Sequence, residues 1–387
     1  MRGTRAAALA LLMIAAEPAA ACTFCDGGFR GRQTLRLHHA GAKVVLAGQL
    51  RNPRVDANAP GGGTTEFHVS AVLKDDPARG GRAVLTLPKY LPVIGDTPPD
   101  YLIYCDVVNG TLDPTFGLSA PAAVVEYARA AAAAAADADV VKRLGFFFRH
   151  LDHAQDAVAA DAFLEFAKAA DADILKAAPA FDRAKLRALI AAPATPTERL
   201  GVFAFLLGSC GTADDAAFLA ALLTANPPAE RTSAAFGGLL AGYILLKPQD
   251  GWAFTASVLA DERRGYADRL SAVNTVRFFQ ATRPAESKPH VLRCCAALLP
   301  CGDLADQAVE DLRRWGYWEH TADVLAQFPK PTHAAPIVRR AILRYALSCP
   351  HDDARRFVAA LRQTDPRLVA DVEEMLRRFE RVPVPKN

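Results

Sequence analysis

The stretch 199–207, RLGVFAFLL, decides the fold. It opens on an arginine, continues with apolar residues at helical spacing, and recurs in variant form along the chain. RLGFFFRHL starts at Arg143, RTSAAFGGLL at Arg231, RLSAVNTVRFF at Arg269 and RRAILRYAL at Arg339. Each places apolar residues at i, i+3 or i+4, and i+7, the stripe of an amphipathic helix. Each is followed by a polar break and a second amphipathic stretch. Arg199 to Arg231 is 32 residues and Arg231 to Arg269 is 38. Arg269 to Arg339 is 70, close to two such units, with Asp303 near the middle. A period in the thirties built from helix pairs predicts an array in which stacking buries faces that one pair cannot cover alone. The expectation is an α-solenoid over residues 121–381.

Before Pro121 the pattern changes. Thr65, Phe67, Val69, Ala71 and Leu73 alternate with Glu66, His68 and Ser70, the period of a half-buried strand. Val44–Leu50, Ala83–Leu87 and Leu102–Val108 are further strand candidates, and Leu35–His38 a weaker one. Glycine and proline clusters at 59–63, 79–81 and 97–99 read as loops. Five short strands in under a hundred residues predict a small β-barrel over 22–120, because closure removes exposed edges.

The N-terminus reads as a signal peptide over 1–21. Arg2 and Arg5 precede the apolar run Ala6–Ala16, and Ala19-Ala20-Ala21 supplies small residues for cleavage. Export to the periplasm, cell envelope or extracellular space follows, with Cys22 as the mature N-terminus. The membrane enters only if Cys22 is lipidated. Residues 382–387, VPVPKN, read as a disordered tail.

Charge is nearly balanced, with 45 basic and 42 acidic side chains. The arginine-rich stretch 303–387 carries 14 basic against 13 acidic residues. A nucleic-acid partner is therefore not expected, since it calls for a basic excess or stripe. No GxSxG, HExxH, Walker A or GxGxxG pattern is present, and no catalytic residue or cofactor is assigned. The reading leans away from an enzyme, although paired carboxylates need no local signature.

Three groups of residues stand out. Cys22 and Cys25, spaced CxxC, are candidates for a thiol redox pair, or for a disulfide staple from either one to Cys105. His290, Cys294 and Cys301 are weak metal-ligand candidates, but their spacing fits no familiar zinc pattern, so buried structural cysteine is the expectation. Trp315, Tyr317 and Trp318 concentrate aromatics beside Arg313 and Arg314, the residue types enriched at binding hot spots. Gly316 marks a turn there, where aromatics also commonly pack between helices.

The helix pairs resemble HEAT-type repeats. Segments such as RLGFFFRHLDH, LLAGYILLKPQDGW and LADQAVEDLRRWG, after a β-module with an early cysteine pair and Cys105 in a late strand, resemble planctomycete-type secreted proteins of unknown function. Their N-terminal module is netrin-like, which implies an OB-type barrel. In tissue inhibitors of metalloproteinases, which share that module, an N-terminal Cys-x-Cys presents the terminal amine and carbonyl to a protease's zinc; here the pair is Cys22-x-x-Cys25. The expected function is that of an exported scaffold binding a protein partner through its helical repeats, with a protease inhibitor or a thiol redox protein as alternatives.

Overall fold

A computed structural model describes residues 31–59, 61–93, 98–135, 137–225 and 230–379. The expected signal peptide at 1–21, Cys22, Cys25 and the tail at 382–387 lie outside these residues.

The chain enters through helix α1 (Leu35–Gly41). The sequence leads one to expect a strand at Leu35–His38, and a seven-residue helix has too few internal bonds to persist alone. Tertiary contacts supply both ends. Thr34 caps the start by accepting from the Leu37 N–H, and Asp161 accepts from the Leu35 N–H at 2.7 Å. Lys74 Nζ donates to the carbonyls of His39 at 2.9 Å and Ala42 at 2.5 Å, satisfying the other end.

Strands β1 (Val44–Val55), β2 (Gly63–Lys74), β3 (Val84–Leu87), β4 (Asp100–Val108) and β5 (Thr111–Ser119) follow. They form an antiparallel five-stranded sheet in the order β3-β2-β1-β4-β5. The sheet is open, with β3 and β5 as its edges, where closure was expected. The sequence marks β2 by alternation, β1 as an apolar run and β3 and β4 as further candidates, but not β5, whose run TLDPTFGLS is broken by Pro114 and Gly117. An edge strand tolerates proline because half of its N–H groups face no partner.

Both faces of the sheet are covered. Val44, Leu46, Leu50, Phe67, Leu85, Leu87, Ile103, Cys105 and Leu112 form one apolar cluster. Val45, Ala47, Leu102 and Tyr104 turn the other way and join the core of the helices. The single face expected for Thr65–Leu73 is split. Gly48 pairs with Val69 and the next residue, Ala47, pairs with Ala71, so Ser70 is an extra residue. That bulge moves Ala71 and Leu73 to the helix side.

The helical part runs through α2 (Ala122–Ala134), α3 (Val140–Arg149), α4 (Asp156–Lys168), α5 (Asp171–Ala177), α6 (Arg183–Ala191), α7 (Thr197–Cys210) and α8 (Ala213–Thr224). It continues with α9 (Glu230–Ala234), α10 (Phe236–Leu246), α11 (Pro248–Ala260), α12 (Tyr266–Thr282) and α13 (Pro284–Leu298). The last helices are α14 (Ala305–Trp315), α15 (Thr321–Leu325), α16 (Pro336–Ser348), α17 (Asp352–Thr364) and α18 (Pro366–Phe379). Helices two apart pack together: α10 with α12, α11 with α13, α14 with α16, α15 with α17 and α16 with α18.

The arginines that open the recurring stretches share a task. Arg143 donates to the Asp137 carbonyl at 2.9 Å, Arg199 to Asp156 at 3.2 Å and Arg231 to the Ala192 carbonyl at 3.0 Å. Arg269 pairs with Asp303 at 2.7 Å, and Arg339 lies 4.3 Å from the Phe328 ring centre. Each ties the start of a helix to another segment, which gives the repetition a structural cause.

Candidate functional site

The turn 313–318 begins where α14 stops. Gly316 has φ +66°, in the left-handed region. The Tyr317 N–H reaches the Leu312 carbonyl at 2.9 Å and the Gly316 N–H the Arg313 carbonyl at 3.1 Å, a Schellman closure. The chain reverses there and throws Trp315, Tyr317 and Trp318 back against the helices, each half-buried on the core.

Their outer shape is set from behind. The Tyr317 hydroxyl accepts from Gln280 on α12 at 2.7 Å. Lys288 on α13 lies 4.5 Å from the Tyr317 ring centre and pairs with Glu319 at 2.7 Å. Trp318 packs edge-on against Tyr345 of α16, with ring centres 4.9 Å apart. Tyr345 in turn donates to the Tyr317 carbonyl at 3.2 Å. Beneath the turn, Thr321 Oγ1 donates to the Trp318 carbonyl at 2.6 Å and lies within 3.4 Å of Cys349 Sγ and 3.2 Å of His351 Nδ1. Burial pushes the Tyr345 hydroxyl up to about 12, so it stays protonated.

The charged residues divide. Arg313 donates to Glu310 at 3.1 Å, and Arg344 of α16 binds the same carboxylate. Arg277 pairs with Asp311 at 2.7 Å. Arg314 is exposed at the helix end. The structure thus brings the five expected residues into one surface element, with Arg313 turned to an intramolecular partner. Tyr345, Gln280 and Lys288 were not legible as members, because they lie far away in sequence, and Thr321, three residues past Trp318, carries no motif. The one signal pointing to them is the repeat spacing: Gln280 to Tyr317 is 37 residues.

The other candidate residues lie apart from this turn. Cys105 on β4 is a free, fully buried thiol in the sheet's inner cluster, and burial pushes it up to about 12. Its expected partners, Cys22 and Cys25, lie outside the described residues. His290, Cys294 and Cys301 belong to no metal-holding group: among the described residues, no three His, Cys, Asp or Glu side chains gather to hold a metal. His290 lies flat on Trp252, ring centres 5.2 Å apart and planes within 4°. Cys294 is buried in the core, and Cys301 Sγ points to the Leu259 carbonyl at 3.6 Å. Apolar packing has absorbed these side chains. Comparison of the chain with protein families, curated proteins and solved structures finds no match.

Proposed function

We propose that this protein is an exported, non-enzymatic scaffold that binds another protein through the turn Arg313–Trp318 of its helical repeats. The observation that supports this reading is the set of contacts behind that turn. Gln280, Lys288 and Tyr345 fix the aromatic rings from three different helices, while Arg314 stays exposed beside them. A binding surface held in place before contact loses little side-chain entropy on association, and tryptophan, tyrosine and arginine give the largest return per residue.

In this reading the helical part is an α-solenoid of HEAT-like pairs. Its long-range polar contacts support that, since they repeat at about one unit: 34 residues for Arg277–Asp311 and for His333–Leu299, and 39 for Arg231–Ala192. The sheet is read as an OB/netrin-like barrel left open between β3 and β5. Its order, β3-β2-β1-β4-β5, is that of an OB barrel cut at this seam.

The test is photo-crosslinking. A benzophenone amino acid replaces the exposed Ala322 of α15, next to the turn, in the full chain, which is mixed with an envelope extract of the source cell. A discrete partner captured at 322, and lost when Arg314→Glu is added, supports the reading. A partner captured instead by probes within 44–119 moves recognition to the β-module and favours the inhibitor alternative. Capture at neither place overturns the scaffold reading.

A further inference from the structure

The sheet module meets the helices through a buried set of ionisable groups that the binding reading does not use. Asp161 and Glu165 stand one turn apart on α4, with 6 % and 5 % of their surface exposed. Glu165 accepts a forked pair from Arg36 of α1, Nε at 3.0 Å and Nη2 at 3.0 Å. Asp161 accepts only from neutral groups, the Leu35 N–H at 2.7 Å and the Tyr127 hydroxyl of α2 at 2.8 Å. The one guanidinium is thus bonded to Glu165, Asp161 has no cation bonded to it among the described residues, and these bonds join α1 to α2 and α4.

We propose that seating α1 on α4 takes up a proton at Asp161, which makes this joint a proton-linked latch between the sheet module and the helices. A second buried negative charge without a cation of its own binds a proton more tightly than it would in water. Burial raises the Asp161 carboxyl to about 6 from its usual 3.8, with Glu165 adding to the rise and the Leu35, Tyr127 and Arg36 contacts opposing it. A carboxyl raised on docking contributes stability that grows as pH falls from above 6 towards 4.

The other groups around the joint are accounted for. Tyr104 of β4 stays protonated through burial and the Asp161 charge, and Tyr127 likewise. His38 and His39 of α1 are pushed down by burial, His39 also by Lys74. His150, its ring centre 5.0 Å from that of Tyr127, is also pushed down by burial, with His153, Arg149 and Lys185 adding to the effect. These histidines act with the opposite sign, losing stability as pH falls through their ordinary range, so the carboxylate is isolated by a difference between variants.

Hydrogen exchange of the full chain reads the latch directly. Protection of the Leu35–Gly41 amides, corrected for intrinsic rates, is compared at pH 7.5 and pH 5.0. Wild-type protection should rise about tenfold relative to Asp161→Asn over this span. Tyr127→Phe removes a donor from the charged form and should move the rise to higher pH. Glu165→Gln removes the neighbouring charge and should move it to lower pH, which keeps the test open if Asp161→Asn does not fold. Identical pH profiles in wild type and in the variants that fold would overturn the proposal.

Discussion

Gly208 of α7 and Gly242 of α10 meet backbone to backbone: a Cβ on Gly208 would lie 2.2 Å from the Gly242 Cα. A Cβ on Gly238 would lie 2.0 Å from the Gly201 carbonyl oxygen, and one on Gly242 2.4 Å from that of Ala204. The glycines in RLGVFAFLLGSC and FGGLLAGYILL, poor helix formers by propensity, thus set the distance between two helices.

Gly242→Ala should therefore destabilise by about 3 kcal/mol, because the new Cβ would meet the Ala204 carbonyl, which is backbone, as well as the Leu219 side chain at 2.9 Å. Gly145 is the control. It lies inside α3, and a Cβ there meets nothing within 4 Å. Gly145→Ala should stabilise by about 0.5–1 kcal/mol through helix propensity. Thermal melts of the two variants in parallel check both signs; equal and small shifts would show that α7 and α10 are not held this closely.

The Arg269–Asp303 pair makes a second, asymmetric prediction. Arg269 is 1 % exposed, bonds Asp303 through Nη1 at 2.7 Å, and buries Nε and Nη2 without partners. Removing Asp303 strands a buried cation, whereas replacing Arg269 with an apolar residue removes the cation itself. Asp303→Ala should cost about 2–3 kcal/mol, given that Asp303 is half exposed, and Arg269→Met less. In the Arg269→Met background, Asp303→Ala should be nearly silent; denaturant titration of the cycle measures the coupling.

At the turn, folding and recognition separate by residue. Trp318→Ala loses the Tyr345 contact and should cost about 2–3 kcal/mol of stability, which a melt detects. Arg314→Glu alters an exposed side chain and should stay within about 0.5 kcal/mol of wild type while weakening partner capture at least tenfold. Partner binding that survives Arg314→Glu unchanged would remove this arginine from the proposed interface.

The fully buried thiols, Cys105 and Cys294, should be inert while the protein is folded, and the half-buried Cys210 slow to react. Burial pushes Cys105 and Cys294 up to about 12 and Cys210 up to about 11. At pH 8 a thiol near 12 is thiolate only about one part in ten thousand. Kinetic labelling with a chromogenic disulfide should show Cys105 and Cys294 reacting only on the timescale of unfolding. Rapid labelling of Cys105 in the native protein would contradict its place in the sheet's inner cluster.

Much of the candidate site was legible. Gly316 announced the reversal after α14, and the spacing of Trp315, Tyr317 and Trp318 put three rings at it. What was not legible is which side of each group is spoken for. Arg313 and Arg314 are neighbours in sequence, yet one binds Glu310 and the other faces water, because a step of one residue turns a helix by about 100°. His290 and Cys294 share a helix face as their spacing requires, and that face turned out to be occupied by Trp252 and the core.

By itself the sequence determined the periodic elements: strand β2 from alternation, β1 from its apolar run, the long helices from their apolar stripe, and the arginines that mark the repeated starts. These are local, because side-chain direction follows from a period of two or of 3.6 residues. Tertiary structure alone decided that Leu35–Gly41 is a helix, since its caps Asp161 and Lys74 come from elsewhere in the chain. It decided β5 through pairing with β4, and left the sheet open where five strands suggested closure. It also placed two carboxylates beside one arginine at the joint with the helices. Each of these depends on groups distant in sequence meeting where water is excluded, and a local pattern carries no record of such meetings.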